Sequence, residues 1–121
     1  MVSERVVLHR NLYERVRDGF IALAGNGEPA LEWVLTDPGD GRAMLAAQRN
    51  HGVRCFILDA TPCPETFFDE IAPGSLIVRF GVSCNTVPVA LCRQRGVEVA
   101  YTPGTLDSSV AEQCMGLLLA L

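Results

Sequence analysis

Five short runs rich in Val, Ile, Leu and aromatic residues constrain this chain more than anything else in it. They are Val6–Leu8, Leu31–Leu35, Cys55–Leu58, Leu76–Phe80 and Val97–Tyr101, and they read as strands, mostly with Gly, Pro or Asp nearby. Each starts between twenty-one and twenty-five positions after the one before, leaving room for one helix in every gap. Parallel neighbours need a crossover of that length, whereas antiparallel ones close with a tight turn. The spacing therefore predicts an α/β fold, with a five-stranded parallel sheet between helices.

The gaps carry helix signals. Asn11 is expected to cap a segment whose Leu12, Val16, Phe20 and Leu23 share one face. A second helix runs from Gly41 to Asn50 and stops at His51-Gly52; a third takes Pro64 in its first turn, ahead of Phe67, Phe68 and Ile71. Thr86 is expected to cap a fourth, closed by Gly96. Ser109-x-x-Glu112 reads as a capping box for a fifth. In that fifth helix Val110, Cys114, Leu117, Leu118 and Leu121 form one stripe, widened by Ala111, Met115 and Leu119. A helix apolar on most sides is expected to be buried on more than one. It also shows no stop signal, so the chain is expected to be a piece of a longer one. Residues 1–106 are expected to form one domain, with 107–121 starting a helix toward an absent second domain.

Composition excludes several chemistries. All ten basic residues are arginine, which removes any lysine base, Schiff base or phosphate-loop lysine. A net charge of −4 gives no footprint for nucleic acid or an anionic membrane. The five cysteines include no C-x-x-C pair, and His9 and His51 stand apart without companions, so a metal site is not expected. The N-terminus lacks a signal-peptide core and Leu117–Leu121 is too short to span a bilayer. A soluble, reduced, cytoplasmic chain is expected.

In an open parallel sheet, ligands bind beyond the carboxyl ends of the strands. Asp59 stands after the third strand as the acceptor of a phospho-receiver domain would. That reading lacks an acidic pair after the first strand, where His9 and Arg10 stand, and lacks the lysine after the fifth. The loop after the first strand cannot cradle a phosphate as a flavodoxin's does. Gly39-Asp40-Gly41 lacks the third glycine of a dinucleotide turn and reads as a tight turn.

The stretch from Arg79 to Leu121 carries the most information. It resembles the D-isomer-specific 2-hydroxyacid dehydrogenase family, whose members read R-x-G-V-G-x-D-N-V-D, then a helix ending R-G, a strand, x-x-P-G, and A-E before an apolar helix. Arg79, Gly81, Val82, Val87, Arg95-Gly96, Thr102-Pro103-Gly104, Ala111-Glu112 and Leu118–Leu121 match without a gap. The resemblance implies a flavodoxin-like substrate-binding domain followed by a Rossmann domain. It further implies hydride transfer between NAD or NADP and C2 of a D-2-hydroxy or 2-oxo acid. By the same resemblance, the amides of Val82 and Ser83 would bind the substrate carboxylate, and Ala60 and Thr61 would face the same cleft. Leu106 would lie near substrate and nicotinamide, and Val110 near the cofactor. Ser83, Asn85, Thr86 and Pro88 depart from the family pattern. The family's catalytic arginine, glutamate and histidine come later in the sequence, so no catalytic residue is expected within these 121 residues. Full-length members are expected to be homodimers, and this chain to self-associate through Val110–Leu121. The alternative is a free-standing, non-catalytic α/β ligand-binding or interaction module.

Overall fold

Side chains alternate across a strand, and in this chain both faces of the expected strands are apolar, which calls for helices on each. A computed structural model describes residues 3–26, 30–81, 85–103 and 107–120. In order they form β1 (Ser3–His9), α1 (Arg10–Arg15), α2 (Arg17–Asn26), β2 (Ala30–Thr36), α3 (Gly41–His51) and β3 (Cys55–Leu58). Then come α4 (Glu65–Glu70), β4 (Leu76–Arg79), α5 (Val89–Gln94), β5 (Glu98–Tyr101) and α6 (Asp107–Ala120). The strands make one parallel sheet in the order β2-β1-β3-β4-β5, the flavodoxin-like arrangement.

The larger core lies on one face. Val7, Phe56, Leu58 and Ile77 from the strands pack there with Met44 and Leu45 of α3, Phe67 and Phe68 of α4, and Cys92 of α5. Phe67 sits edge-on to both Phe56 and Phe68, with centroids 5.4 and 5.2 Å away. The opposite face holds a smaller cluster of Leu8, Leu12 and Phe20, flanked by Trp33 and Ile57. Trp33 closes it by donating its indole N–H to the Phe20 carbonyl at 3.0 Å.

At the amino edge of the sheet, Gln48 of α3 ties three segments together. Its amide nitrogen donates to the Val53 carbonyl (3.0 Å) and the Ser75 hydroxyl (2.8 Å), and its oxygen accepts from the Ala72 N–H. Asp40 caps α3 by accepting from the Ala43 N–H, and Gly52 ends it in the left-handed region at φ 63°.

Several local expectations are corrected. The first helical segment is two helices, because Val16 leaves helical geometry (φ −125°, ψ 37°). The break turns Leu12 and Phe20 inward but leaves Val16 and Leu23 exposed, although a continuous helix would align all four. Asn11 is not a cap; it lies inside α1 and spends its amide on Asp59. Pro88, not Thr86, precedes α5, and Ser109 lies inside α6, which starts at Asp107. Helix α6, apolar on most sides and expected to be covered by a second domain, has its side chains from Ser108 to Ala120 exposed, Leu119 by 82%.

Phe67→Ala is expected to cost about 3–5 kcal/mol, as for other fully buried aromatics. The check is a urea midpoint shift at unchanged denaturant slope, and a loss under about 1 kcal/mol would contradict the packing described.

Candidate functional site

The strand order reverses between β1 and β3, so the carboxyl ends of these two strands flank the crevice where such sheets bind ligands. His9 ends β1 and Asp59 immediately follows β3. Although fifty positions apart in sequence, they meet: His9 Nδ1 lies 2.9 Å from Asp59 Oδ1, with His9 fully buried and Asp59 7% exposed. Asn11 donates its side-chain amide to Asp59 Oδ2, and the Thr61 backbone N–H donates to Asp59 Oδ1 at 2.9 Å. One carboxylate thus gathers donors from the end of β1, the first turn of α1 and the loop after β3.

Burial by itself would push the Asp59 carboxyl upward. The Asn11 amide, the Thr61 N–H, the His9 ring and the Thr61 hydroxyl outweigh it and hold the carboxyl at about 2. Next to it, burial raises the Cys63 thiol to about 11, with the Asp59 charge adding to the shift, so this cysteine is a thiol and a poor nucleophile. An exposed ion pair, Arg10 to Asp37 at 3.2 Å, spans the ends of β1 and β2 and adds little stability.

A second set lies beyond β4 and β5. The buried Arg79 folds its guanidinium back to donate to the Phe80 carbonyl and rests against the α-carbon of Gly81. Both the N–H and the hydroxyl of Thr102 donate to the Gly81 carbonyl, at 2.9 and 2.7 Å. Three residues of the sequence motif therefore act as one bracket just beyond the ends of β4 and β5. Nearby, Asn85, Thr86 and Pro88 line a cavity of about 250 Å³ with Cys63, Glu65, Phe68 and Val87.

Of the residues singled out from sequence, Ala60 and Thr61 lie in the β3–α4 loop at the crevice, Ala60 exposed and Thr61 half-buried. Val110 sits on α6 and is 58% exposed. Val82, Ser83 and Leu106 lie outside the described residues. In the sequence His9 stands without a companion and Asp59 simply follows the third strand, so their pairing is not visible there. The available signal was strand order, since β1 beside β3 brings the residues after each together.

The glycines at Gly39 and Gly41 do not fit a dinucleotide. A side chain at Gly39 would meet the Pro62 carbonyl at 3.2 Å and one at Gly41 the Phe67 Cβ at 3.1 Å, so protein already fills that space. Among the described residues, no group of His, Cys, Asp or Glu could hold a metal ion, and no helix is long and apolar enough to cross a membrane.

A doubly wound parallel sheet with its polar groups gathered at the carboxyl edge defines the class of domain. Within it, residues 14–114 match the family model for the D-isomer specific 2-hydroxyacid dehydrogenase catalytic domain, and the chain belongs to that family of oxidoreductases. No curated protein matches it significantly. Among solved structures it is similar in fold to phosphoglycerate oxidoreductase from Vibrio cholerae O395, at 24% identity and a TM-score of 0.59 over 98% of this chain. The chain spans 37% of the length of that protein.

Because Asp59 titrates lower in the folded chain than its ordinary 3.8, it adds stability above that value, which is lost as pH falls toward 2. The loss is expected to be about 2 kcal/mol. Urea midpoints measured down this range should fall more steeply for the native chain than for Asp59→Asn; parallel curves would contradict the assignment.

Proposed function

We propose that this chain is the substrate-side domain of an NAD- or NADP-dependent oxidoreductase that transfers hydride between the nicotinamide and C2 of a D-2-hydroxy or 2-oxo acid. Membership of the dehydrogenase family is the observation that carries this reading. The carboxyl ends of β3 and β4, side by side in the sheet, support it. The chain's own task is to bind and orient the substrate carboxylate. Main-chain N–H groups at Val82 and Ser83 suit that task, since fixed amides hold an anion without side-chain entropy. Ala60 and Thr61 form the adjoining wall, and Leu106 adds an apolar contact.

The cofactor supplies the hydride when bound, but the filled Gly39–Gly41 turn gives it no pyrophosphate cradle in the described residues. Val110 is the one position here assigned to its edge. The proton acid/base and the nucleotide turn belong to a part of the enzyme outside these residues.

Two outcomes test the reading. Titrating the chain with pyruvate should move the Val82 and Ser83 amide resonances, then those of Ala60 and Thr61; shifts scattered elsewhere would refute it. The chain alone should produce no reduced nicotinamide from any D-2-hydroxy acid with NAD or NADP, measured by absorbance.

The exposed apolar helix α6 supports self-association of this chain through Val110–Leu121. Sedimentation should show mass rising with concentration, and Leu119→Glu should suppress it; an unchanged profile in the variant would place the contact elsewhere.

A further inference from the structure

His9 presents a conflict that only one arrangement of protons resolves. Its Nδ1 is within reach of two Asp59 groups, the carboxylate Oδ1 at 2.9 Å and the backbone N–H at 3.2 Å. Toward the first it must donate, and toward the second it must accept. An ionised carboxylate can only accept, and a bond to it is shorter and stronger than one between neutral groups. Nδ1 therefore carries the proton and points it at Asp59.

That choice leaves Nε2 buried with no hydrogen-bond partner among the described residues. His9 lies opposite Thr36 in the β1–β2 register, and the Thr36 hydroxyl is likewise buried without a partner. A phenylalanine would fill the same space without leaving a buried nitrogen unpaired, so packing alone does not account for a histidine here. What the imidazole adds is the proton it gives to Asp59. Asp59 in turn holds the Thr61 N–H, and Pro62 beyond it lies against Gly39 of the β2–α3 loop.

We propose that His9 is a positioning residue which, through the Asp59 carboxylate, fixes the Ala60–Thr61 wall of the crevice. The polar contact is local to this loop, whereas β1 is held in the sheet by its own backbone pairing with β2 and β3. The consequence for ligand binding rests on the carboxylate-site reading above; the fixing of Thr61 does not.

The experiment is nuclear magnetic resonance on the 121-residue chain and two variants. His9→Phe keeps a ring and removes the donor, and His9→Asn places an amide N–H near the position of Nδ1. In the native chain the imidazole nitrogen spectrum should show a proton on Nδ1 coupled to Asp59. Amide exchange at Thr61 should accelerate at least about tenfold in His9→Phe, the scale of one lost charge-assisted hydrogen bond, and return toward native in His9→Asn. Exchange within β3 and β4 should stay unchanged. An unprotonated Nδ1 in the native chain overturns the proposal without any variant, and so does a Thr61 amide that exchanges equally in all three.

Pyruvate titration of the same samples reads the second half. Affinity at the Val82–Ser83 amides should weaken several-fold in His9→Phe and recover in His9→Asn, whereas equal affinity would break the link between His9 and the cleft. If pyruvate moves no amide in the native chain, the carboxylate-site reading falls while the exchange data still decide the role of His9.

Discussion

The interior position of β1, between β2 and β3, governs this domain. It pairs with β2 along seven residues and with β3 on its other edge, and it buries Val7 on one face and Leu8 on the other. A strand enclosed on four sides has little freedom to shift, so its last residue is placed with accuracy. That residue is His9. Because β2 lies to one side and β3 to the other, the chain must open a crevice at this end of β1. The groups that close around it, Asp59, Asn11 and Thr61, are held to a fixed point. The two edges of the sheet are thus used differently. At the amino edge Gln48 satisfies both ends of its amide, and Gly74 and Gly96 join by a backbone hydrogen bond of 2.8 Å. Among the described residues, the carboxyl edge leaves buried polar atoms of His9, Asn11, Thr36 and Arg79 unpaired, and the amino edge one of Arg95.

Much of the fold was legible in the sequence because the five strands leave five apolar runs, and their spacing dictates parallel pairing. The third strand fell on Cys55–Leu58 as expected, and the others differed by a few residues at the ends. The first helical segment misled because periodicity assumes an unbroken helix. Val16 breaks it, and the face it was assigned to turns partly to solvent. Caps misled for a related reason: Asn11 has a better partner in Asp59 than in its own helix, and that partner is distant in sequence. Pairings of this kind depend on strand order, which spacing alone does not supply.

The candidate site was legible in part, and the residues behind the resemblance to the dehydrogenases show why. Arg79, Gly81 and Thr102 are joined by hydrogen bonds and close contact, so the motif records a bracket between the ends of β4 and β5. Motif residues of this kind point to a place rather than to a reaction. Asp59 and His9 carry no such signature, since neither residue type is unusual at a strand end. Their significance comes from burial and from the number of donors that one carboxylate collects.

The strand order also imposes a schedule on synthesis. β1 leaves the ribosome first, yet its second edge has no neighbour until Cys55–Leu58 has been made. For that interval a strand whose Val6, Val7 and Leu8 are buried in the finished sheet presents an open edge, and pairing with it requires closing a loop of several tens of residues. Sequence-distant pairing of this sort makes folding slower and exposes the nascent chain to association with its neighbours. The same placement that anchors His9 in the finished domain therefore makes β1 the segment most in need of protection while the chain is incomplete.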